Sequence, residues 1–361
     1  MKVGLADLPL HWGKAPKWLF NRMVKLSREI SEIIILEFGK EEFLKRISDP
    51  CFFQALGCVV GFDWHSSGIT TTLTGALKEA KLEEYGIAVL GGKGKASRKV
   101  PKEIENLANN FSFSTKKIER LKYASKLVAK VDNSVLQDNF QLYHHCFIVS
   151  EDGEWVVVQQ GMKADNRIAR RYHWISKDLK YFVEEPHKAI CCDLKQEKVL
   201  NLVAKKSRET RKCIVDLVNE NPKNLMNYVA PKNSLVKYLK MPTKHFIDVK
   251  EYQLLLRLKE FQPKNFEELI SFKGMGPKTL RALALISHLI FGTKLSFRDP
   301  VKFSFAHGGK DGTPYPVNRK VYDSSIKTLK EIIEDLKINK KGKLEMLRRL
   351  ENRVRLGSSE V

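Results

Sequence analysis

Two strand-like runs joined by a short turn constrain the fold of this chain more than any other feature. Phe140–Val149 and Glu154–Gln160 are rich in aromatic and β-branched residues, which favour pleated backbone. Asp152 and Gly153 lie between the runs, and this dipeptide is typical of two-residue hairpin turns. We therefore predict an antiparallel hairpin, and with it a sheet, near the middle of the chain.

The predicted turn also fixes which side chains oppose each other across the hairpin. A two-residue turn places His145 opposite Gln160 and Cys146 opposite Gln159. Because successive side chains on a strand point to opposite faces, we expect the neighbours His144 and His145 to lie on the two sides of the sheet.

Helical patterns dominate both sides of the hairpin. Pro16–Phe38 carries apolar residues at helical spacing, Ile87–Leu90 predicts a short strand, and Lys195–Asn219 predicts a long helix. We therefore predict an α+β fold with two domains. Residues 1–190 form a mixed α/β domain that contains the antiparallel hairpin, and residues 191–361 form an all-α domain with a charged C-terminal tail.

The charge balance restricts the partners of the chain. Its 361 residues include 64 Lys and Arg against 42 Asp and Glu, a formal net charge of +22, so polyanions are the natural partners. A hydrophobic fraction of 43 % excludes disordered classes. The longest apolar runs, around Ile33–Phe38 and Ala282–Phe291, are shorter than the roughly 20 residues of a membrane span. The six cysteines form no CxxC pair, so we expect reduced thiols, no structural zinc and a cytoplasmic location.

A basic stretch runs from Lys93 to Lys130. Its 38 residues hold eleven Lys and Arg and three Glu. Solvated helix faces usually mix the two signs of charge, so this stretch favours a surface that follows phosphates, with a solvated face as the alternative. Its glycines lack the phosphate-loop spacing, so we expect no nucleotide or other small-molecule cofactor. The residues predicted to bind DNA here are Lys93, Lys95, Arg98 and Lys99.

A helix, a glycine turn and a second helix form the sharpest motif of the chain. Phe266–Phe272 and Thr279–Phe291 have helical apolar patterns, and Lys273–Lys278 joins them. Two glycines let the turn approach a ligand closely, and the start of the second helix offers amides and a positive dipole end to a phosphate. The residues predicted to contact a phosphate backbone are Lys273, Gly274, Gly276 and Lys278, with Arg319 further along the chain.

This pattern resembles the helix-hairpin-helix motif of DNA-repair proteins, which binds the DNA backbone without reading its sequence. An ordinary pair of antiparallel helices is the alternative. In the related glycosylases with lyase activity, a lysine at the position of Lys278 is the nucleophile, and an aspartate follows at the start of a later helix. Here Asn318 stands at that later position, and an amide cannot accept a proton as a carboxylate does.

Several polar residues before and within the hairpin suggest a catalytic centre. Asp63, His65, Asp138 and one of His144 or His145 could together bind a divalent metal and activate water for phosphodiester cleavage. We expect Asp63 and Asp138 to be the ligands of Mg²⁺ or Mn²⁺. Each residue also has a structural alternative, such as helix capping for Asp63 or a cross-strand contact for His145.

The whole chain also resembles domain of unknown function 763, an uncharacterised prokaryotic and largely archaeal family. The matching stretches are Ala6–Phe20, Ala55–Gly75, Gln141–His145, Gln159–Met162, Arg170–Trp174 and Phe303–Asp323. The resemblance implies a cytoplasmic prokaryotic protein and brings no activity with it.

Together these features predict a repair-type enzyme that binds duplex or structured DNA. The leading hypothesis is a metal-dependent nuclease, a hydrolase whose catalytic residues lie in the first domain while the second holds the DNA. The alternatives are a glycosylase or lyase that uses Lys278 and a DNA-binding protein without catalysis. A role on RNA and the oligomeric state stay open.

Overall fold

The computed structural model describes most of the chain up to residue 301. The described residues are 15–61, 68–163, 168–192, 195–220, 222, 249–301, 326–327, 330–331, 333–334, 342–344 and 347–348. Of the predicted site residues, Asp63, His65 and Arg319 lie outside this part of the chain.

The centre of the fold is an antiparallel sheet of five strands with helices on both faces. In chain order the strands are β1 (Ile87–Lys93), β2 (Leu136–Gln137), β3 (Gln141–Ser150), β4 (Trp155–Lys163), β5 (Ile168–Ile175), β6 (Ala189–Cys192) and β7 (Leu200–Asn201). The sheet has the order β1-β3-β4-β5-β6, and β2 pairs with β7 in a separate ribbon. The predicted hairpin, β3 and β4, therefore lies in the interior of the five-stranded sheet.

Helices cover each face with a separate apolar core. The helices are α1 (Lys17–Ser48), α2 (Pro50–Val60), α3 (Gly68–Glu79), α4 (Val100–Asn106), α5 (Thr115–Lys130), α6 (Arg208–Asn219), α7 (Val249–Phe261), α8 (Phe266–Ser271) and α9 (Pro277–Leu289). The first core joins α1, α2 and α3 to one face of the sheet, which we call the α3 face. The second core joins α4 to α9 to the other, which we call the α5 face.

The helix patterns in the sequence are confirmed in part. Helix α1 begins after Pro16 and is broken at Gly39, which has a φ of 84° that only glycine adopts freely. The predicted helix Lys195–Asn219 begins only at Arg208, because Leu200 and Asn201 form strand β7 instead. Tertiary pairing with β2 overrides the helical pattern there.

The hairpin forms, but its register differs by one residue from the prediction. The Ser150 amide donates to the Glu154 carbonyl at 2.8 Å, so the loop has three residues rather than two. Gly153 has a φ of 91°, as the glycine of a three-residue hairpin loop requires. The predicted pairs of side chains across the hairpin are therefore wrong.

The shifted register changes the partners of the two histidines. His145 opposes Gln159, and His144 opposes Gln160. The expectation that they point to opposite faces is confirmed, because His144 contacts Thr74 of α3 and His145 contacts α5.

The mixed helix and sheet content confirms the α+β class. The core on the α5 face contains Phe147 of the sheet and Leu283 of α9, which lie on either side of the predicted boundary at residue 190. The division into two domains stays a prediction. Within the described part of the chain, no helix combines the length and the apolar character that crossing a bilayer requires.

Candidate functional site

A cleft of about 720 Å³ lies between the sheet and the turn that precedes α9. Its walls come from several parts of the chain that are separate in sequence. Arg98 follows β1, Lys126 and Lys130 belong to α5, His145 lies on β3, and Gly276 lies in the turn. We call this site the basic cleft.

The charge of the cleft is of one sign. Among the described residues that line it there is no Asp or Glu. Arg98 and Lys126 are exposed, and neither makes an ion pair with a described residue. Lys130 is half-buried and its Nζ donates to the Met275 carbonyl, while burial lowers the pKa of its ammonium group. Such a surface attracts anions.

The turn before α9 presents bare backbone to the cleft. Gly274 has a φ of 102°, whereas Gly276 has an extended backbone that any residue can adopt. A Cβ at Gly276 would meet nothing nearer than 3.9 Å, so this glycine faces open space. No side chain caps the start of α9, whereas Asn265 caps α8 by accepting from the Glu268 amide at 2.9 Å. The dipole of α9 therefore begins at the cleft.

Hydrogen bonds fasten this turn to the end of α5 and to β2. The Gln137 side chain donates to the Pro277 carbonyl at 2.7 Å and accepts from Nε of Arg281 at 2.7 Å. Together with the bond from Lys130 to Met275, these contacts hold the glycine turn against the end of α5.

His145 forms the centre of a buried polar chain at the floor of the cleft. Its Nε2 lies 2.9 Å from the Ser125 hydroxyl, and its Nδ1 lies 2.7 Å from Oε1 of Gln159. Gln159 in turn donates to Asp132 at 2.5 Å. Burial lowers the pKa of His145, against the opposing effects of Gln159 and Asp132.

The π-helix Val131–Val135 continues α5 and carries Asp132. Such wide turns are often found at functional sites. Asp132 is fully buried, and it also accepts from Trp174 at 2.9 Å and contacts Nε2 of His187 at 2.5 Å. Three partners therefore hold this carboxylate in one position.

His144 also lines the cleft but has different surroundings. Its Nε2 lies 3.1 Å from the hydroxyl of Thr74, which donates to the Thr70 carbonyl at 2.7 Å. Among the described residues its Nδ1 has no hydrogen-bond partner. Burial, helped by the charges of His145 and Lys93, lowers the pKa of His144 to about 3.

Asp138 is a structural ion-pair partner in this geometry. Its carboxylate accepts from Arg170 at 2.9 Å and from the Tyr172 hydroxyl at 2.7 Å, and it is 1 % exposed. Asp299 makes a bidentate pair with the same guanidinium at 2.7 and 3.1 Å. Burial alone would lower the pKa of Arg170, but Asp138 and Asp299 raise it well above its ordinary value. A metal-binding role for Asp138 stays a prediction that these partners do not favour.

The predicted Mg²⁺ or Mn²⁺ site is not assembled by the described residues. Nowhere among them do three or more His, Cys, Asp or Glu side chains converge as metal ligands would. Asp63 and His65 lie outside the described residues.

The remaining predicted residues lie around the cleft rather than in it. Lys93, Lys95 and Lys99 are exposed beside Arg98, and Lys273 is exposed in the glycine turn. Lys278 is half-buried in the first turn of α9 and does not line the cleft.

Sequence reasoning missed the residues that connect the histidine to the cleft. They are Ser125, Lys126, Lys130, Asp132 and Gln159. Lys126 and Lys130 lie one helical turn apart in the basic stretch, which could have singled them out. The correct hairpin register would have paired His145 with Gln159, but nothing in the local pattern indicates Ser125.

The fold and the cleft define an α+β protein with a basic groove beside a helix, a glycine turn and a helix. No curated protein and no solved structure matches the chain. Residues 4–317 match a family described as protein of unknown function (DUF763), and the chain belongs to that family.

Proposed function

We propose that the protein binds DNA through backbone phosphates in the basic cleft and cleaves that backbone there. The observation that carries the proposal is the convergence of two sequence features in one cleft. The basic stretch contributes Arg98, Lys126 and Lys130, and the glycine turn contributes Gly276. Both features favour phosphates, and some 150 residues separate them in the chain.

The resemblance of the turn to the helix-hairpin-helix motif supports DNA as the polyanion. The extended backbone at Gly276 and the uncapped start of α9 suit a phosphate contact that is independent of sequence. The buried histidine at the floor of the cleft supports a reaction on the bound backbone, because a neutral imidazole can act as a general base.

Binding is tested by fluorescence anisotropy of a labelled duplex oligonucleotide at several salt concentrations. We expect the double variant Arg98→Ala/Lys126→Ala to weaken binding on the order of tenfold and to reduce the log–log salt slope by about 2, because two phosphate contacts are lost. The matched control is Lys116→Ala/Arg120→Ala, which removes the same charge from exposed positions of α5 outside the cleft. Equal losses in both variants would contradict a specific role for the cleft.

A second test uses the two glycines of the turn. Gly276→Val should fold normally, because the backbone is extended and the site is open, yet it should weaken binding to any DNA sequence by placing a side chain where phosphate lies. Gly274→Val should instead cost about 1–3 kcal/mol of stability, because φ is positive and Leu254 lies 3.3 Å from the new Cβ. Thermal unfolding and anisotropy separate the two effects. Unchanged binding by Gly276→Val would contradict the proposal.

Cleavage is tested with end-labelled DNA in the presence of Mg²⁺ or Mn²⁺ and again with a chelator. Product that requires the metal and is lost in Asp63→Ala supports the metal-dependent nuclease. Product that persists in chelator assigns the reaction to the protein's own side chains. Salt-sensitive binding without product on duplex, single-stranded or branched DNA identifies a DNA-binding protein without catalysis.

A further inference from the structure

Ser125 lies at the floor of the basic cleft with its hydroxyl 2.9 Å from Nε2 of His145. It lies on α5, one residue before Lys126, and the residue is 3 % exposed. A buried serine beside a buried histidine at hydrogen-bond distance is the arrangement from which serine nucleophiles act.

The hydrogen-bond partners of His145 determine which nitrogen of its ring carries the proton. The carboxylate of Asp132 can only accept, so the Gln159 amide nitrogen donates to it and the amide oxygen faces His145. Nδ1 of His145 must then carry the proton, which leaves the Nε2 lone pair to accept the hydroxyl of Ser125. Ser125, His145 and Gln159 are therefore arranged as a nucleophile, a general base and an orienting group would be.

We propose that Ser125 is the nucleophile of the basic cleft and His145 its general base, so that cleavage passes through a phosphoserine linkage. This inference rests on the proposed DNA-binding function. Gln159 is then a positioning residue, because it selects the tautomer of the imidazole without touching the substrate, and Asp132 fixes Gln159.

The reaction needs water as its only co-reactant. Oγ of Ser125 forms a bond to phosphorus, its proton passes to Nε2 of His145, and the bond between phosphorus and the leaving nucleotide oxygen breaks. The imidazolium returns the proton to that oxygen, which becomes a free hydroxyl. Water then attacks the phosphorus and gives a proton to His145, the bond between phosphorus and Oγ of Ser125 breaks, and the imidazolium returns the proton to Oγ. The products are a phosphate-terminated strand and the free serine hydroxyl.

The cleft supplies what such a step needs besides the nucleophile. Arg98 and Lys126 carry positive charge that attracts a phosphodiester and stabilises charge on its oxygens. Burial keeps His145 neutral near neutral pH, since it lowers the pKa of the imidazole. A neutral imidazole can accept the proton of a serine.

A second serine of the cleft provides an internal comparison. The Ser97 hydroxyl donates to the Gly94 carbonyl at 2.6 Å instead of to a histidine. Ser97 and Ser125 therefore share the cleft and its cations but differ in the base. If charge and access alone governed reactivity, the two serines would react alike.

The experiment treats the full chain with an alkyl fluorophosphonate, a general probe of activated serines, and maps the modified peptide by mass spectrometry. We expect labelling at Ser125, its complete loss in Ser125→Ala, and a fall in labelling rate of at least about a hundredfold in His145→Gln. Ser97→Ala should label as the wild type does. Labelled DNA is also incubated with each protein and run on a denaturing gel to detect a covalent adduct.

DNA binding is measured by anisotropy on the same samples, so that the two proposals fail separately. Intact binding with no label at Ser125 in the wild-type protein overturns the nucleophile and leaves DNA binding in place. Label at Ser125 without DNA binding or adduct overturns the phosphodiester reaction. Peptide mapping of the wild type decides the first question even where a variant does not fold.

Discussion

The two faces of the sheet bury similar polar side chains among different partners. On the α3 face, His144 lies against Thr74, and Arg171 hydrogen-bonds to Thr70 at 3.3 Å and Gln54 at 3.1 Å. These partners are neutral. Burial lowers the pKa of Arg171 to about 10, although nearby thiols raise it.

On the α5 face, carboxylates accompany the buried groups. Arg170 pairs with Asp138 and Asp299, and the His145 chain ends at Asp132. Adjacent residues of one strand therefore occupy different electrostatic surroundings, because alternation sends them to opposite faces. Two histidines that are adjacent in sequence therefore need not share the same surroundings. Only His145 has both a hydroxyl donor and an orienting acceptor.

The largest expected effect follows from breaking the ion pair on the α5 face. Asp138→Asn should lower the free energy of unfolding by about 1–3 kcal/mol, because the amide nitrogen cannot accept from the buried Arg170 and Tyr172 as the carboxylate does. Denaturant unfolding measures the loss. The control is Glu41→Gln, which breaks the exposed pair with Lys177 and should leave the free energy of unfolding nearly unchanged. A small loss for Asp138→Asn would contradict the structural role and revive its candidacy as a metal ligand.

The pH dependence of stability distinguishes the two histidines, with a smaller effect per unit of pH. The pKa of His144 falls from 6.5 to about 3 on folding, so the unfolded chain gains a proton below pH 6.5 that the folded chain does not. Stability should therefore fall as the pH drops from 6.5 towards 3, by up to about 1.4 kcal/mol per unit for this group. His144→Gln should remove more of this slope than His145→Gln, since Gln159 and Asp132 oppose the shift of His145. Denaturant midpoints across this pH range measure the slopes, and identical slopes would contradict the difference between the faces.

The secondary-structure elements could be predicted from the sequence better than the contacts between them. The α+β class, the hairpin and the opposite directions of His144 and His145 follow from local patterns with period two. The register was wrong because Asp152 and Gly153 also fit the end of a three-residue loop, in which the glycine takes the positive φ. This shift of one residue is why the contact between His145 and Gln159 was not predicted.

The candidate site depends on contacts that no local pattern encodes. Ser125 meets His145 from a helix, and Asp299 meets Arg170 from more than a hundred residues away. The basic stretch and the glycine turn were both identified from sequence, but their meeting in one cleft depends on Lys130 and Gln137. Long-range pairing of this kind is set by packing and not by propensity.

The hydrogen bonds that hold the glycine turn bear on the rate at which the proposed DNA ligand would associate. Lys130 and Gln137 already hold the carbonyls of Met275 and Pro277 in the free protein. If DNA binds in the basic cleft as proposed, the entering strand meets walls that are already ordered, and the protein loses little conformational entropy on binding. Association should then be limited by diffusion and charge attraction rather than by closure, and the lifetime of the complex should reflect the contacts alone.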